Sequence, residues 1–530
     1  MKTNNSNCTT DTLFFMQKYR IKLVSEGIMV GLISGLLVVF YRLALDKAGL
    51  LAKSIYKAQT ENIWLIPIWI IVLIVGGYIV GNMIKKNPMI SGSGIPQVEG
   101  ILMGHLNMNW WRVIVEKFVG GVICITAGLS LGREGPSIQL GAAVGQGFSR
   151  IFKRIKIEEK YLITSGASAG LAAAFNAPLA GVIFALEEVH KNFSPLVLIS
   201  TMSASLVADF VSKEFFGLKP IFQFESFSVL PLKYYAFIII FGIIIGMFGV
   251  FYNYTLLKTQ NLYANQKWLP VQFRPIIPFV LAGMLGLFLP EVLGGGHELI
   301  VSIINGNNTL RFLFILLLIK FAFSMVSFGS GAPGGIFFPL LVIGGMTGAI
   351  YGTILVKLVH FPPQYVNNFM ILGMAGYFTA IVRAPITGSI LITEMTGSFN
   401  HLLSLALVSI IAYIIADLMG SKPIYESLLE RILAKNGHKE LSEDNNAKTI
   451  LEVVVHHGSY LEGKKIKELN MPEKCLLVSI KRGDNEVIPR GNTSIYAGDY
   501  LVVLTSEHSE ISIRENLLKM AESSYAINNA

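Results

Sequence analysis

Apolar runs recur along the chain, near residues 27–41, 63–81, 113–131, 196–211, 234–251, 276–289, 312–328, 336–359 and 402–419. This recurrence constrains the fold more than any other feature. Crossing about 30 Å of hydrocarbon takes about 20 apolar residues in a helix, and several of these runs are short or broken by glycine and proline. Irregular backbone at that depth is tolerated only where it is buried in protein or lines a water-filled cavity. The pattern predicts an α-helical polytopic membrane protein with broken helices. The chain is 15% charged, where a soluble domain would carry about 25%.

The first 20 residues are mostly polar, with neither a continuous apolar core nor a small-residue cleavage site. They read as a soluble tail rather than a removable signal. Lys18, Arg20 and Lys22 precede the first apolar run, and Arg150, Lys153, Arg154 and Lys156 form a second basic cluster. Both place their flanks, and the N-terminus, on the cytoplasmic side. The net charge of +9 is thus read as topogenic, and no nucleic-acid partner is expected. Cys8, Cys124 and Cys475 are too few and too dispersed for a disulfide framework or a metal site.

Within this apolar setting stands Gly132-Arg133-Glu134-Gly135-Pro136-Ser137. A charged side chain at the bilayer centre costs roughly 2.5–3.5 kcal/mol or more, so such residues face a cavity or a partner. Pro136 suits the first turn of a helix. Glu134 would then sit at a helix N-terminus, where free N–H groups and the dipole attract anions. One place could hold either its own carboxylate or a dissolved anion.

The chain also repeats itself. Gly92-Ser93-Gly94-Ile95 matches Gly294-Gly295-Gly296-His297, 202 residues on, and Gly132 to Gly141 has the spacing of Gly335 to Gly344, 203 on. Ala177-Pro178-Leu179-Ala180-Gly181 matches Ala384-Pro385-Ile386-Thr387-Gly388, 207 on, and the same offset carries Glu187 to Glu394. Matches in one order at a nearly constant offset predict a duplicated membrane unit, about 21–220 and 230–436. Such repeats place substrate sites where broken helices from both halves point inward; the competing reading of the Gly/Pro stretches is close helix packing.

From residue 437 the character changes. Residues 437–449 read as a polar linker, 450–523 as a small soluble α+β domain, and 524–530 as a disordered tail. Strands are expected at Ile450–Val455, Leu476–Ile480 and Tyr500–Leu504, with a helical turn at Ile466–Leu469.

Four segments carry a family resemblance: Gly92-Ser93-Gly94-Ile95-Pro96, Gly132-Arg133-Glu134-Gly135-Pro136, Gly335-Ile336-Phe337-Phe338-Pro339 and Lys422-Pro423-Ile424-Tyr425. Together, and in this order, they resemble the signature of the CLC chloride channel and transporter family over roughly residues 20–435. The resemblance implies an antiparallel inverted repeat of tilted, uneven helices, assembled as a homodimer with one anion pathway per subunit in a bacterial plasma membrane, both termini cytoplasmic. It also implies that Ser93, Gly135, Ile336, Phe337 and Tyr425 contact chloride. Ser93 also reads as a turn or capping residue, and Tyr425 as an interfacial anchor.

The resemblance makes Glu134 the external gating and proton glutamate and Glu188 the internal proton-transfer glutamate. Glu187 is assigned a supporting role. Arg133 either shapes the local field or forms a structural salt bridge. Carrying both glutamates implies a chloride/proton antiporter, typically exchanging two chlorides per proton, without a cofactor and not an enzyme. Gln97 stands where the family commonly has an acid, whereas retention of Ser93, Glu134 and Tyr425 disfavours fluoride.

The tail resembles the TrkA-C type regulatory domain of bacterial potassium-uptake regulators through Gly458-Ser459-Tyr460-Leu461-Glu462-Gly463-Lys464, Ile488-Pro489-Arg490-Gly491 and Ala497-Gly498-Asp499-Tyr500-Leu501. That likeness implies pairing across a dimer and a small regulatory ligand such as a cyclic dinucleotide, with Arg490, His456 and His457 as phosphate contacts or plain solvated loop residues. Three other readings stand beside the antiporter: a gated passive anion channel, a membrane sensor whose tail binds ligand, and an intramembrane hydrolase, which lacks an HExxH pair or a nucleophile beside Glu134.

Overall fold

The computed structural model describes residues 5–222, 228–304, 309–435, 448–472, 475–483, 485–506 and 509–522. They fall into two units, Met1–Arg431 and Ile432–Ala530. The first opens with α1 (Asn5–Glu61), α2 (Leu65–Lys86), α3 (Ile95–Leu102), α4 (Trp110–Thr126), α5 (Glu134–Ile151), α6 (Lys156–Phe175), α7 (Pro178–Phe184) and α8 (Pro195–Phe216). It continues with α9 (Tyr235–Asn265), α10 (Ile276–Phe288), α11 (His297–Ile304), α12 (Leu310–Gly329), α13 (Phe337–Val359), α14 (Val366–Val382), α15 (Pro385–Thr396) and α16 (Leu402–Leu418). A last helix, α17, spans Ile424–Lys435.

The two series match helix for helix, and so do their neighbours. α1 packs on α8 as α9 packs on α16; α5 packs on α6 as α13 packs on α14; α6 packs on α8 as α14 packs on α16. The helix pairs cross at glycines because nothing else fits. A Cβ on Gly141 would lie 2.0 Å from the Gly166 carbonyl oxygen, and one on Gly344 would lie 2.4 Å from that of Gly373.

α1 is already helical at Asn5, well before the first glycine, Gly27, and the helix runs without a break through residue 20. From Asn5 to Glu26 the chain contains neither glycine nor proline. Its polar side chains keep that part from being a span without keeping it from being a helix.

Among the described residues nine helices are long and apolar enough to cross a membrane. Eight coincide with apolar runs of the sequence. The run at 113–131 instead holds α4, which stops at Thr126, while Pro363–Val382 qualifies although no run marked it. Asn367, Asn368, Gly373, Gly376 and Tyr377 dilute that stretch, and it is buried in protein rather than presented to lipid.

In the second unit β1 (Lys448–Val454), β2 (Cys475–Arg482), β3 (Asn485–Val487) and β4 (Tyr500–Ser506) form an antiparallel sheet in the order β1-β4-β2-β3. The expected strands are present, each shifted or extended by one or two residues. Leu451 pairs with Val503 and Val453 with Leu501, and their side chains join Ile480, Ile513 and Leu517 in the core. The last two come from α18 (Glu510–Glu522), a helix without a sequence expectation. The expected linker, save its final Lys448 and Thr449, and the expected tail lie outside the described residues.

Candidate anion and proton site

The glycines of the first motif are there for their backbone. Gly92 has φ +64° and Gly94 +92°, and their counterparts Gly294 and Gly296 have +62° and +98°, a region that side chains with a Cβ rarely occupy. Each loop is held by a lysine from inside the protein. Lys117 Nζ donates to the carbonyls of Ile90 (2.9 Å) and Gly92 (2.7 Å). Lys320 Nζ donates to those of Val292 (2.7 Å) and Gly294 (2.6 Å). Both lysines are fully buried.

In the first half this loop ends in Ser93, 2% exposed, at the start of α3. Its Oγ accepts from Ile95 N at 3.3 Å, so the turn role is present and the hydroxyl proton is left to donate. Gly135 lies directly against Ser93: a Cβ there would sit 2.8 Å from Ser93 Cβ and 3.1 Å from its Cα.

The two halves are stitched together beside this point. Gly132 N donates to Gly335 O at 2.7 Å, and Gly335 N donates to Gly132 O at 2.8 Å. The exchange sets the N-terminus of α5, at Glu134, beside that of α13, at Phe337. First-turn amides have no partner within their own helix, and two such termini meeting in a buried place favour an anion. Ile336 and Phe337 are fully buried, with the Phe337 ring 5.3 Å from that of Phe175 and 4.7 Å from that of Phe378.

Glu134 is 1% exposed and its Oε2 has no hydrogen-bond partner. Its electrostatic neighbours are the Arg133 and Arg42 guanidiniums and the backbone amide of Phe338. It lines a cavity of about 480 Å³ together with Arg42, Arg133, Lys219, His297 and Phe338. Arg133 also pairs with Asp46 at 3.4 Å, so it supplies both a salt bridge and positive charge at the cavity.

Tyr425 opens α17, fully buried, with its hydroxyl lacking a partner. Asn253 Nδ2 reaches the carbonyls of Ile381 (3.2 Å) and Lys422 (3.3 Å) and so ties that end of α17 to the bundle. The charged groups around the phenol are Glu188, Glu99 and Glu134. Tyr425 thus stands within electrostatic range of both assigned glutamates.

After α7 the helix widens into a π turn, Ala185–Val189. Such turns often mark functional positions. Here it separates two adjacent acids. Glu187 faces the second half: its carboxylate accepts from Ile386 N (3.2 Å), Thr387 N (2.8 Å) and Thr387 Oγ1 (2.7 Å). Glu188 is 4% exposed, with Oε1 unpartnered.

Sequence reasoning passed over Glu99, on α3, which is fully buried with both oxygens unpartnered. It also missed Lys117 and Lys320, though they stand 203 residues apart, the offset of the glycine motifs. A charge inside an apolar run, repeated at that spacing, was the available signal. In the second unit His457 Nδ1 is engaged with Glu462 at 3.0 Å.

Residues 76–417 match the family described as voltage gated chloride channel, and residues 450–518 match the TrkA-C domain. The H(+)/Cl(-) exchange transporter ClcA of Vibrio cholerae (strain O395) is 35% identical over 424 residues, 77% of this chain and 89% of the relative. That of Yersinia pseudotuberculosis is 35% identical over 420 residues, 77% of this chain and 87% of the relative. Among solved structures, a slow cyanobacterial Cl-/H+ antiporter superposes with TM-score 0.73 at 32% identity, covering 78% of this chain and 99% of the other. A CLC-type fluoride/proton antiporter shares the fold, with TM-score 0.63 at 23% identity, covering 76% and 97%. The chain belongs to the voltage gated chloride channel family and carries a C-terminal TrkA-C domain.

Proposed function

We propose that this protein exchanges chloride for protons across a membrane, with Glu134 as the group that both ions share. One observation carries the reading: a buried carboxylate with an unpaired oxygen lies where two helix N-termini meet, on the wall of a cavity that Arg42, Arg133 and Lys219 line together with Asp46 and Glu298. Ionised, that carboxylate occupies the place an anion would take. Protonated, it loses its claim on the amides and moves aside for chloride.

The chloride would be held by the amides of Gly135, Ile336 and Phe337 and by the hydroxyls of Ser93 and Tyr425. These are neutral donors. They stabilise an anion without a fixed countercharge, so the ion can leave again. Glu188 takes up or releases the proton at the other end, and Glu187 acts through the contacts that fix the π turn. The relatives named as H(+)/Cl(-) exchangers support the pair of ions.

Pairing of two subunits, each with its own pathway, cytoplasmic termini in a bacterial plasma membrane, and regulation through a small ligand on the TrkA-C domain belong to the same proposal. They rest on the two family matches.

The test is flux from proteoliposomes recorded at once with a chloride electrode and a pH electrode. A chloride gradient should drive protons uphill at a fixed ratio. Chloride flux with no accompanying proton movement, and a reversal potential indifferent to pH, would replace the exchanger with a passive channel.

A further inference from the structure

Three carboxyl groups and one ammonium gather at the Glu188 end of the pathway. α3 packs against the π turn, which brings Glu99 into range of Glu188. Glu426 adds a third acid from the first turn of α17. Lys191, three residues beyond Glu188 in the chain, is the cation among the described residues that Glu99 and Glu188 share in their charge environments. Of the other titratable groups nearby, the buried Tyr425 phenol also faces Glu188 and Glu99, whereas two more are engaged elsewhere. Glu187 is bound to Ile386 and Thr387, and His190, next to Lys160, meets Thr164 Oγ1 at 3.0 Å.

Two features make this more than an acidic cluster. Glu99 is fully buried with neither oxygen partnered, and Glu188 has one oxygen in the same state. Two close buried carboxyl groups cannot both stay ionised without a countercharge. Moreover, Lys191 has a backbone φ of +53°, unusual for a residue with a long side chain. The chain turns sharply there, two residues beyond the π turn and three beyond Glu188, and Lys191 is exposed while Glu99 and Glu188 are buried.

We propose that Lys191 is a positioning residue for proton transfer, the countercharge that lets the Glu99–Glu188 pair hold one negative charge and one proton. With the ammonium present, one carboxylate is ionised and the other keeps its proton, so the pair can accept or release a single proton per cycle. Without it, both carboxyl groups stay protonated to higher pH and release is delayed. This rests on the assignment of Glu188 to proton transfer.

The experiment measures chloride and proton flux together in proteoliposomes of the full chain between pH 5 and 9, for wild type, Lys191→Met, Lys191→Arg and Glu188→Gln. Lys191→Met should keep chloride flux, while the midpoint of its proton-flux profile moves up by about one pH unit, the scale of a nearby charge. Lys191→Arg should restore the wild-type profile. A Lys191→Met profile superimposable on wild type overturns the proposal, as does an equal loss of both fluxes that arginine does not rescue. Proton flux surviving in Glu188→Gln would instead overturn the transport assignment itself, which keeps the two failures distinct.

Discussion

Glu187 and Glu394 cap each other's repeats. Glu187, following α7, binds the first amides of α15 at Ile386 and Thr387. Glu394, in α15, binds those of α7 at Leu179 (3.1 Å) and Ala180 (2.8 Å). Reciprocal contact of this kind requires a two-fold relation between the halves. Each carboxylate meets a positive helix end. Replacing either residue by alanine should therefore destabilise the protein by a similar amount, roughly 1–3 kcal/mol, because each leaves one buried amide, that of Ala180 or Thr387, without its partner. Thermal unfolding in detergent would check it, and a large loss for one residue with none for the other would refute the equivalence.

Glu134→Gln removes the ionised form but keeps the shape of the side chain. Proton flux should fall to background while chloride flux persists, and the reversal potential should follow chloride alone. Glu134→Ala should do the same, with chloride flux at least as fast, because the anion no longer competes with a carboxylate for the amides of α5 and α13. Dual-electrode flux measurements decide it; preserved proton pumping in both variants would remove Glu134 from the mechanism.

The glutamine and alanine variants could have been designed without any coordinates, since the motif around Glu134 and the 207-residue offset linking Glu187 to Glu394 were both readable in the chain. Hydropathy exposed eight of the spans for a simple reason: lipid-facing side chains must be apolar. It missed α14 because a helix enclosed by protein owes its place to packing, and its glycines count against it in any hydropathy sum. Glu99 escaped notice for a related reason. Its neighbours come from α17 and the π turn, and no local spacing announces contacts with elements so far along the chain. The π turn was likewise invisible, being a widening of the helix imposed by what the two acids must face.

Close helix crossing makes a signed prediction possible with two glycines. A Cβ on Gly141 would lie 2.0 Å from backbone of α6, whereas one on Gly49, inside α1, would meet nothing within 4 Å. Gly141→Ala should cost about 1–3 kcal/mol or more, because the obstacle is main chain and cannot rotate away. Gly49→Ala should leave the fold intact and add up to about 1 kcal/mol through helix propensity. Yield of monodisperse protein and its melting temperature would show the contrast; equal behaviour of the two would mean that the α5–α6 crossing yields more than its geometry allows.

The TrkA-C domain offers a pH test of its own. Asp499, 1% exposed, accepts from Arg482 Nε (2.9 Å) and Nη2 (2.8 Å) and from Tyr496 N (2.9 Å). Burial alone would raise its pKa, but the Arg482 hydrogen bonds, the Tyr496 amide and the guanidinium charge together hold it below the ordinary aspartate value of 3.8. A carboxyl group depressed in the folded state contributes stability that is present above its unfolded pKa and is lost as pH falls through the folded one. The sheet should therefore be unaffected by this group above about pH 5 and weaken below about pH 4. Asp499→Asn should remove that dependence. Arg482→Leu should cost roughly 1–3 kcal/mol at neutral pH by leaving the carboxylate buried with one donor. Hydrogen exchange of the β2 and β4 amides in the full chain, corrected for intrinsic rates, would read both effects, and an acid dependence unchanged in Asp499→Asn would show that another group sets it.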